Sequence, residues 1–168
     1  MTGRAGSSGP PGPDPLADEP GGLEIHPAHA SRQLDERQVR AVVEAVCAGE
    51  SVEIASLGIV LADHRQVHDL NREWLGHDYE TDVVSFVLDE QAQARGRLDG
   101  EVYVDLDTAV ERAPEFGVTP EHEALRYVAH GVLHLAGHDD ATDDQRAAMR
   151  ALEDRYLAAA GIGSGPAA

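Results

Sequence analysis

The sequence predicts an α+β domain, a small mixed sheet with helices packed on it. Three observations predict it. Short β-branched or alternating segments (Ser56–Ala62, Thr81–Leu88 and Gly100–Leu106) read as strands. Between them lie stretches that open on capping residues and then carry apolar side chains at helical spacing. The two kinds of segment are interspersed without a regular βαβ repeat or an internal period, which gives the class.

In chain order, residues 1–22 hold six glycines and five prolines. Such a segment buries too little to offset its ordering entropy, so a disordered lead is expected. Leu23–His26 reads as a short edge strand. Asp35 and Gln38 have capping-box spacing, with Leu34 and Val39 placed for a hydrophobic staple. Val39, Val42, Val43 and Val46 mark one helical face, and Gly49 is expected to stop that helix. After the strand Ser56–Ala62, Asp63 and Gln66 repeat the capping-box spacing. Val67, Leu70, Asn71 and Trp74 follow at i, i+3, i+4 and i+7, and Gly76 closes the helix. Thr81–Leu88 is a strand, Gln91–Asp99 a polar loop, and Gly100–Leu106 a half-buried strand. Asp107 is expected to cap a short helix that cannot run cleanly through Pro114.

Thr119 and Pro120 open the next helix, with proline at its tolerated first position. Leu125, Val128, Ala129, Val132, Leu133 and Ala136 make it apolar over a wide arc, so it should be the central, buried helix. Thr142 and Gln145 form a third capping box. Met149, Leu152 and Tyr156 make the last helix amphipathic. One domain over residues 23–160, with five helices or so, and a flexible tail over 161–168 are the expectation.

The chemistry lies at the end of the central helix. His130 and His134 are four apart, so on a helix they sit one turn above each other and point the same way. Two such imidazoles can grip one metal ion. Gly137 can take the left-handed conformation that ends a helix and turns the chain back. Asp140, three residues on, can then return to the ion as a third ligand. The pattern H-x-x-x-H-x-x-G-x-x-D leaves a fourth position open, as in a catalytic zinc site. The pair alone would more often be ordinary half-buried histidines; the glycine and the aspartates tip the balance. His138 competes with Asp140, since imidazole is the commoner zinc donor. Geometry favours Asp140, because about three residues are needed after a left-handed glycine before a side chain points back.

Composition narrows the function. The chain has 31 acidic and 13 basic residues and a net charge of -18. All the basic residues are arginine. This argues against broad non-specific binding to nucleic acid and leaves room for a local basic groove. A single cysteine, Cys47, excludes an intramolecular disulfide and fits a reducing compartment. No apolar run approaches a membrane span and the N-terminus lacks a signal peptide's apolar core, so a cytoplasmic location is expected. Gly131 stands where an H-E-x-x-H metallopeptidase carries its glutamate, which disfavours peptidase chemistry. Two histidines and a carboxylate are also the set of non-haem iron oxygenases, but those ligands normally lie on barrel strands.

The run His130–Asp140 closely resembles the H-G-x-L-H-L-x-G-[aromatic]-x-H run of the YbeY family of bacterial endoribonucleases. Leu70-Asn71-Arg72, Gly76-His77-Asp78, Thr81–Phe86 and Gly100–Val104 are similar to the family's other blocks, in order and spacing, from about residue 23 to 160. The resemblance implies a mixed sheet of about four strands and one zinc-type ion per chain held by three side chains. It also implies cleavage of single-stranded RNA in ribosomal RNA maturation, with ribosomal RNA and the small ribosomal subunit as partners. Two positions depart from it. Asp140 replaces the family's third histidine, and carboxylate is a competent zinc ligand. Leu75 stands where the family commonly has an arginine, so the phosphate-handling cation is absent from its usual place. Arg72 and Arg126 are the candidates to replace it, each against the reading of a solvated surface arginine. His138 stands where the family prefers an aromatic residue and reads as a rim residue.

The metal would polarise a phosphoryl oxygen or lower the pKa of water, and arginine would neutralise the developing charge. Asp139, Asp78 and His77 are the candidates to take a proton, each with a structural alternative as a cap or surface group. Competing readings are an RNA- or ribosome-associated assembly factor whose metal is mainly structural and, behind it, a metallopeptidase.

Overall fold

The computed structural model describes residues 22–75 and 82–163. The lead before Gly22, Gly76, His77, Asp78, Thr81 and the tail from residue 164 lie outside the described residues. Strands β1 (Leu23–Pro27), β2 (Glu53–Ala62), β3 (Val83–Val87) and β4 (Arg97–Asp105) form one sheet in the order β1-β2-β4-β3. The pairs β1/β2 and β2/β4 are parallel and β3/β4 is antiparallel, so the sheet is mixed, as expected. A parallel pair needs a crossover, and α1 (Glu36–Glu50) supplies it between β1 and β2. The other helices are α2 (His64–Leu75), α3 (Glu90–Ala94), α4 (Leu106–Arg112), α5 (Pro120–Leu135) and α6 (Asp143–Ala159). A 3-10 turn over Ala113–Phe116 takes up Pro114. Among the described residues no helix is long and apolar enough to cross a membrane.

Side chains alternate across the strands, and this sorts the helices by face. Leu57, Ile59 and Leu61 of β2 and Leu98, Val102 and Val104 of β4 join one core with α1, α5 and α6. Val60, Ala62 and Val84 point the other way and pack with Val67 of α2. The central helix is buried along most of its length, including Leu125, Val128, Ala129, Val132 and Leu133. It lies hard against β4: a Cβ on Gly131 would stand 2.4 Å from Val102 Cγ1.

Four local expectations need correction. Asp35 caps α1 by accepting from the Arg37 N–H at 2.8 Å, but Gly49 does not stop the helix; Ser51 does, with φ 57°. Gly49 is needed instead because a Cβ there would stand 2.1 Å from Tyr156 Cε1 of α6. Trp74 is 71% exposed, because the sheet face that α2 covers is small and is filled around Val67. The stretch read as a loop over residues 91–99 contains α3, capped by Asp89, and the first residues of β4; a helix of five residues is too short to show periodicity. Asp105, not Asp107, caps α4, accepting from the Thr108 N–H at 2.8 Å. The strand ends one residue earlier than the alternation suggested, which puts Leu106 into the helix's first turn. Asp107 instead gathers His29, Arg32 and the His64 N–H.

Candidate metal centre and its cleft

Thr119 caps α5 through the His122 N–H at 3.1 Å and Pro120 takes its first position, as the sequence predicts. The helix therefore runs without a break to its last turns, where His130 and His134 share one side. It ends in a Schellman arrangement: the His138 N–H bonds the Leu133 carbonyl at 3.1 Å and the Gly137 N–H bonds that of His134 at 3.0 Å. Gly137 has φ 105°, in the region that favours glycine. The reversal returns Asp140 to the histidines.

The Nε2 atoms of His130 and His134 lie 3.0 Å apart. Asp140 spans them, Oδ2 at 3.2 Å from His130 and Oδ1 at 3.4 Å from His134. One donor atom from each of the three residues falls within 4.8 Å of the others. A tetrahedral ion about 2.0–2.1 Å from each donor would set those donors roughly 3.3 Å apart. The observed spacings are close to that, so the donor set is compatible with one metal ion.

What orients it was not among the sequence-predicted residues. Glu153, buried on α6, accepts from His130 Nδ1 at 2.6 Å. A proton on Nδ1 leaves the Nε2 lone pair of His130 facing the centre, as in carboxylate–histidine–metal arrangements. The second oxygen of Glu153 accepts from Arg126 Nη1 at 3.1 Å, and Arg126 Nη2 reaches Asp154 at 2.6 Å. Burial works against a charged His130, but Glu153, then Asp82 and Asp140, outweigh it and hold its pKa above the usual value. Burial and the adjacent His130 push His134 down, so the two rings differ in basicity.

His138 turns away from the centre. Its Nε2 bonds Glu50 Oε1 at 2.5 Å, and Tyr156 donates its hydroxyl to the other oxygen of Glu50. Of the other candidates, Arg126 is only 12% exposed and committed to carboxylates, so it is neither a solvated surface arginine nor a free phosphate-binding cation. Arg72 pairs with Asp69 on α2, which packs on the opposite face of the sheet from α5, so the structure does not bring it to the histidines. Asp139 is exposed, and its charge favours the protonated form of His134.

A cleft of about 220 Å³ opens beside the triad, walled by residues that include Asp82, Arg112, Phe116, Arg126, His130, Asp140, Arg146, Arg150 and Glu153. Arg146 ties down the returning loop, donating to the carbonyls of Asp140 at 3.2 Å and Ala141 at 3.1 Å. Sequence reasoning missed Arg112 and Arg150, because helix packing brings them here, and Arg146, which lies only six residues after Asp140 but carries no motif of its own. The cleft takes four of the 31 acidic residues and four of the 13 basic ones, so it is balanced and the entire -18 falls outside it.

The family model described as Endoribonuclease YbeY matches residues 24–161. A protein of Salinibacter ruber named Endoribonuclease YbeY is 48% identical over 140 residues, covering 80% of this chain and 89% of its own length. One of Chlorobaculum tepidum with the same name is 39% identical over 126 residues, covering 75% and 89%. The solution structure of a Thermotoga maritima protein is similar to this fold, with a TM-score of 0.54 and 27% identity over 82% of this chain and 89% of that one. The span matched by the family model runs through the sheet, the central helix and the triad alike, and the chain belongs to the YbeY endoribonuclease family.

Proposed function

We propose that this chain is a metal-dependent endoribonuclease that cleaves single-stranded RNA in ribosomal RNA maturation, with zinc held by His130, His134 and Asp140. The observation that carries the reading is the triad, with three donors at zinc-like spacing beside a cleft free of the chain's overall negative charge. Zinc bound there would supply Lewis acidity toward a phosphoryl oxygen or water. Glu153 would hold His130 in register, and Arg126 would act on the reaction only through Glu153. Arg112 takes over the charge-neutralising role that the family arginine would have at Leu75. Asp139, beside His134, is the proposed proton acceptor. Ribosomal RNA and the small ribosomal subunit are proposed partners on the strength of the family resemblance, and the cytoplasm as location on that of the lone cysteine.

The peptidase alternative meets a steric objection. A glutamate at position 131 would need a Cβ where Val102 already stands. An assembly factor with a structural metal would bind RNA without cutting it. The deciding experiment follows cleavage of an unstructured RNA, with metal analysis, for the purified protein and for Asp140→Ala. The expected result is one zinc per chain and cleavage in the first, with neither in the variant and a cooperative melting curve in both. Cleavage by Asp140→Ala lacking metal would overturn the proposal, and RNA binding without cleavage by the unaltered protein would favour the assembly factor.

A further inference from the structure

Phe116 is 39% exposed, and among the exposed large apolar side chains of the described residues it is the one that lines the metal cleft. It does not hang on a loose loop. The 3-10 turn that presents it contains Pro114 and is closed by bonds from Gly117 N–H to the Pro114 carbonyl and from Val118 N–H to that of Ala113, both 3.2 Å. Two guanidinium groups rest on its ring, Arg112 at 5.6 Å and Arg150 at 5.1 Å from the centroid. Arg112 is partly neutralised by Asp82 at 3.5 Å and Glu115 at 3.7 Å. Arg150 has no carboxylate partner among the described residues, although the chain has more than twice as many acids as bases.

We propose that Phe116 and Arg150 form a nucleotide subsite beside the metal centre, where a base of single-stranded RNA stacks and its phosphate meets the Arg150 charge. The proposal rests on the endoribonuclease reading and names where a nucleotide flanking the cut is held. Aromatic rings and guanidinium planes are the surfaces on which single-stranded bases stack, without dependence on sequence. An uncompensated arginine at the same place supplies the backbone attraction that the rest of this surface withholds. Among the described residues no hydrogen bond, ion pair or ring contact joins Phe116 or Arg150 to the three proposed ligands, so the subsite contributes to binding and not to the chemical step.

The test uses the zinc-loaded protein and two probes that an endoribonuclease cannot cut: a ten-residue deoxyadenylate strand and a ten-residue abasic strand with the same phosphates. The unaltered protein should prefer the strand with bases by about tenfold, the range expected for one stacked base. Phe116→Ala should erase that preference and leave abasic binding unchanged, while Phe116→Tyr keeps it. Arg150→Gln should weaken both strands and lower the salt slope by about one. On cleavable RNA, Phe116→Ala and Arg150→Gln should raise KM several-fold with kcat within about twofold. Phe116→Trp in a Trp74→Phe background should change its fluorescence on adding the deoxyadenylate strand. Unchanged strand preference and KM in Phe116→Ala, or a silent tryptophan, overturns the subsite. Should Phe116→Ala fail to fold, the tryptophan reporter and Arg150→Gln decide by the same criteria. Failure of the two readings is separable. A protein that cuts RNA with a KM indifferent to both variants sinks the subsite alone, whereas Phe116-dependent strand binding without any cleavage sinks the endoribonuclease reading alone.

Discussion

Replacing Glu153 with glutamine tests whether the centre depends on a residue that is not one of its ligands. The side chain is buried and accepts two bonds, 2.6 Å from His130 Nδ1 and 3.1 Å from Arg126 Nη1. Glutamine has the same shape but a single acceptor oxygen, so one of the two donors must face its amide N–H groups. An unsatisfied buried donor costs about 1–3 kcal/mol. Arg126 keeps Asp154 at 2.6 Å, which places the expected loss of stability toward the low end of that range. Loss of the carboxylate also removes the group that fixes the His130 tautomer and raises its basicity, and such changes typically cost about 10–100-fold in metal affinity. Zinc affinity from competition with a chromophoric chelator, together with a melting curve, reads both effects. Asp154→Asn is the control, since it breaks the other, more exposed Arg126 pair and should leave zinc affinity unchanged. A Glu153→Gln protein that melts lower but binds zinc within threefold of the original would refute the orienting role and leave Glu153 as packing alone.

Gly49→Ala should destabilise the fold by about 1–3 kcal/mol in denaturant unfolding, since the Cβ collides with Tyr156; helix propensity alone predicts the opposite sign. Asp107 is set against burial by His29, the His64 N–H and Arg32, and these bring its pKa from 3.8 to about 2. A depressed carboxylate contributes stability that is present above its unfolded pKa and lost as pH falls through the folded one. The stability lost between about pH 4 and 2 should therefore shrink in Asp107→Asn, measured by denaturant unfolding across that range. Removing the metal with a strong chelator should lower the melting temperature by several degrees, on the order of 1–3 kcal/mol, because the ligands join α5 to the following loop. His138→Phe should retain about one metal per chain, since His138 is bound to Glu50 rather than to the triad.

How far the site could be read from the chain depends on how local its parts are. The two histidines, the reversing glycine and Asp140 occupy eleven consecutive residues, and helix geometry with one left-handed residue is enough to bring them together. Glu153 left a fainter signal: it lies four residues after Met149 and three before Tyr156, an acid on the buried face of an amphipathic helix. Its partner could not be named without knowing how α6 lies on α5. The same limit explains Arg72. Its place on α2 was legible, but the sheet face that α2 covers follows from the crossover between strands, which sequence spacing does not encode. Gly49 shows the converse. Read locally, a glycine near a helix end is a stop; the contact that requires it comes from Tyr156, more than a hundred residues later.

Aspartate as the proposed third ligand would change the electrostatics that the cleft must manage. Its two oxygens reach both histidines at once, 3.2 Å and 3.4 Å away, which a single imidazole nitrogen does not do. It also brings a full negative charge. With a divalent ion bound by two neutral imidazoles and this carboxylate, the centre carries one net positive charge where a three-histidine centre carries two. Glu153 behind His130 offsets part of what remains, and Arg126 in turn neutralises Glu153. Attraction for a phosphodiester therefore has to come from the walls. Arg146 is spent on the loop that carries Asp140, and Arg112 is shared with Asp82 and Glu115. Arg150, seated on Phe116 and free of any carboxylate among the described residues, is the cation left to meet the substrate. An uncompensated arginine lining the same cleft would be the counterpart of a softened centre. A weaker pull at the metal makes the outer contact matter more to binding, in a chain whose remaining surface turns polyanions away.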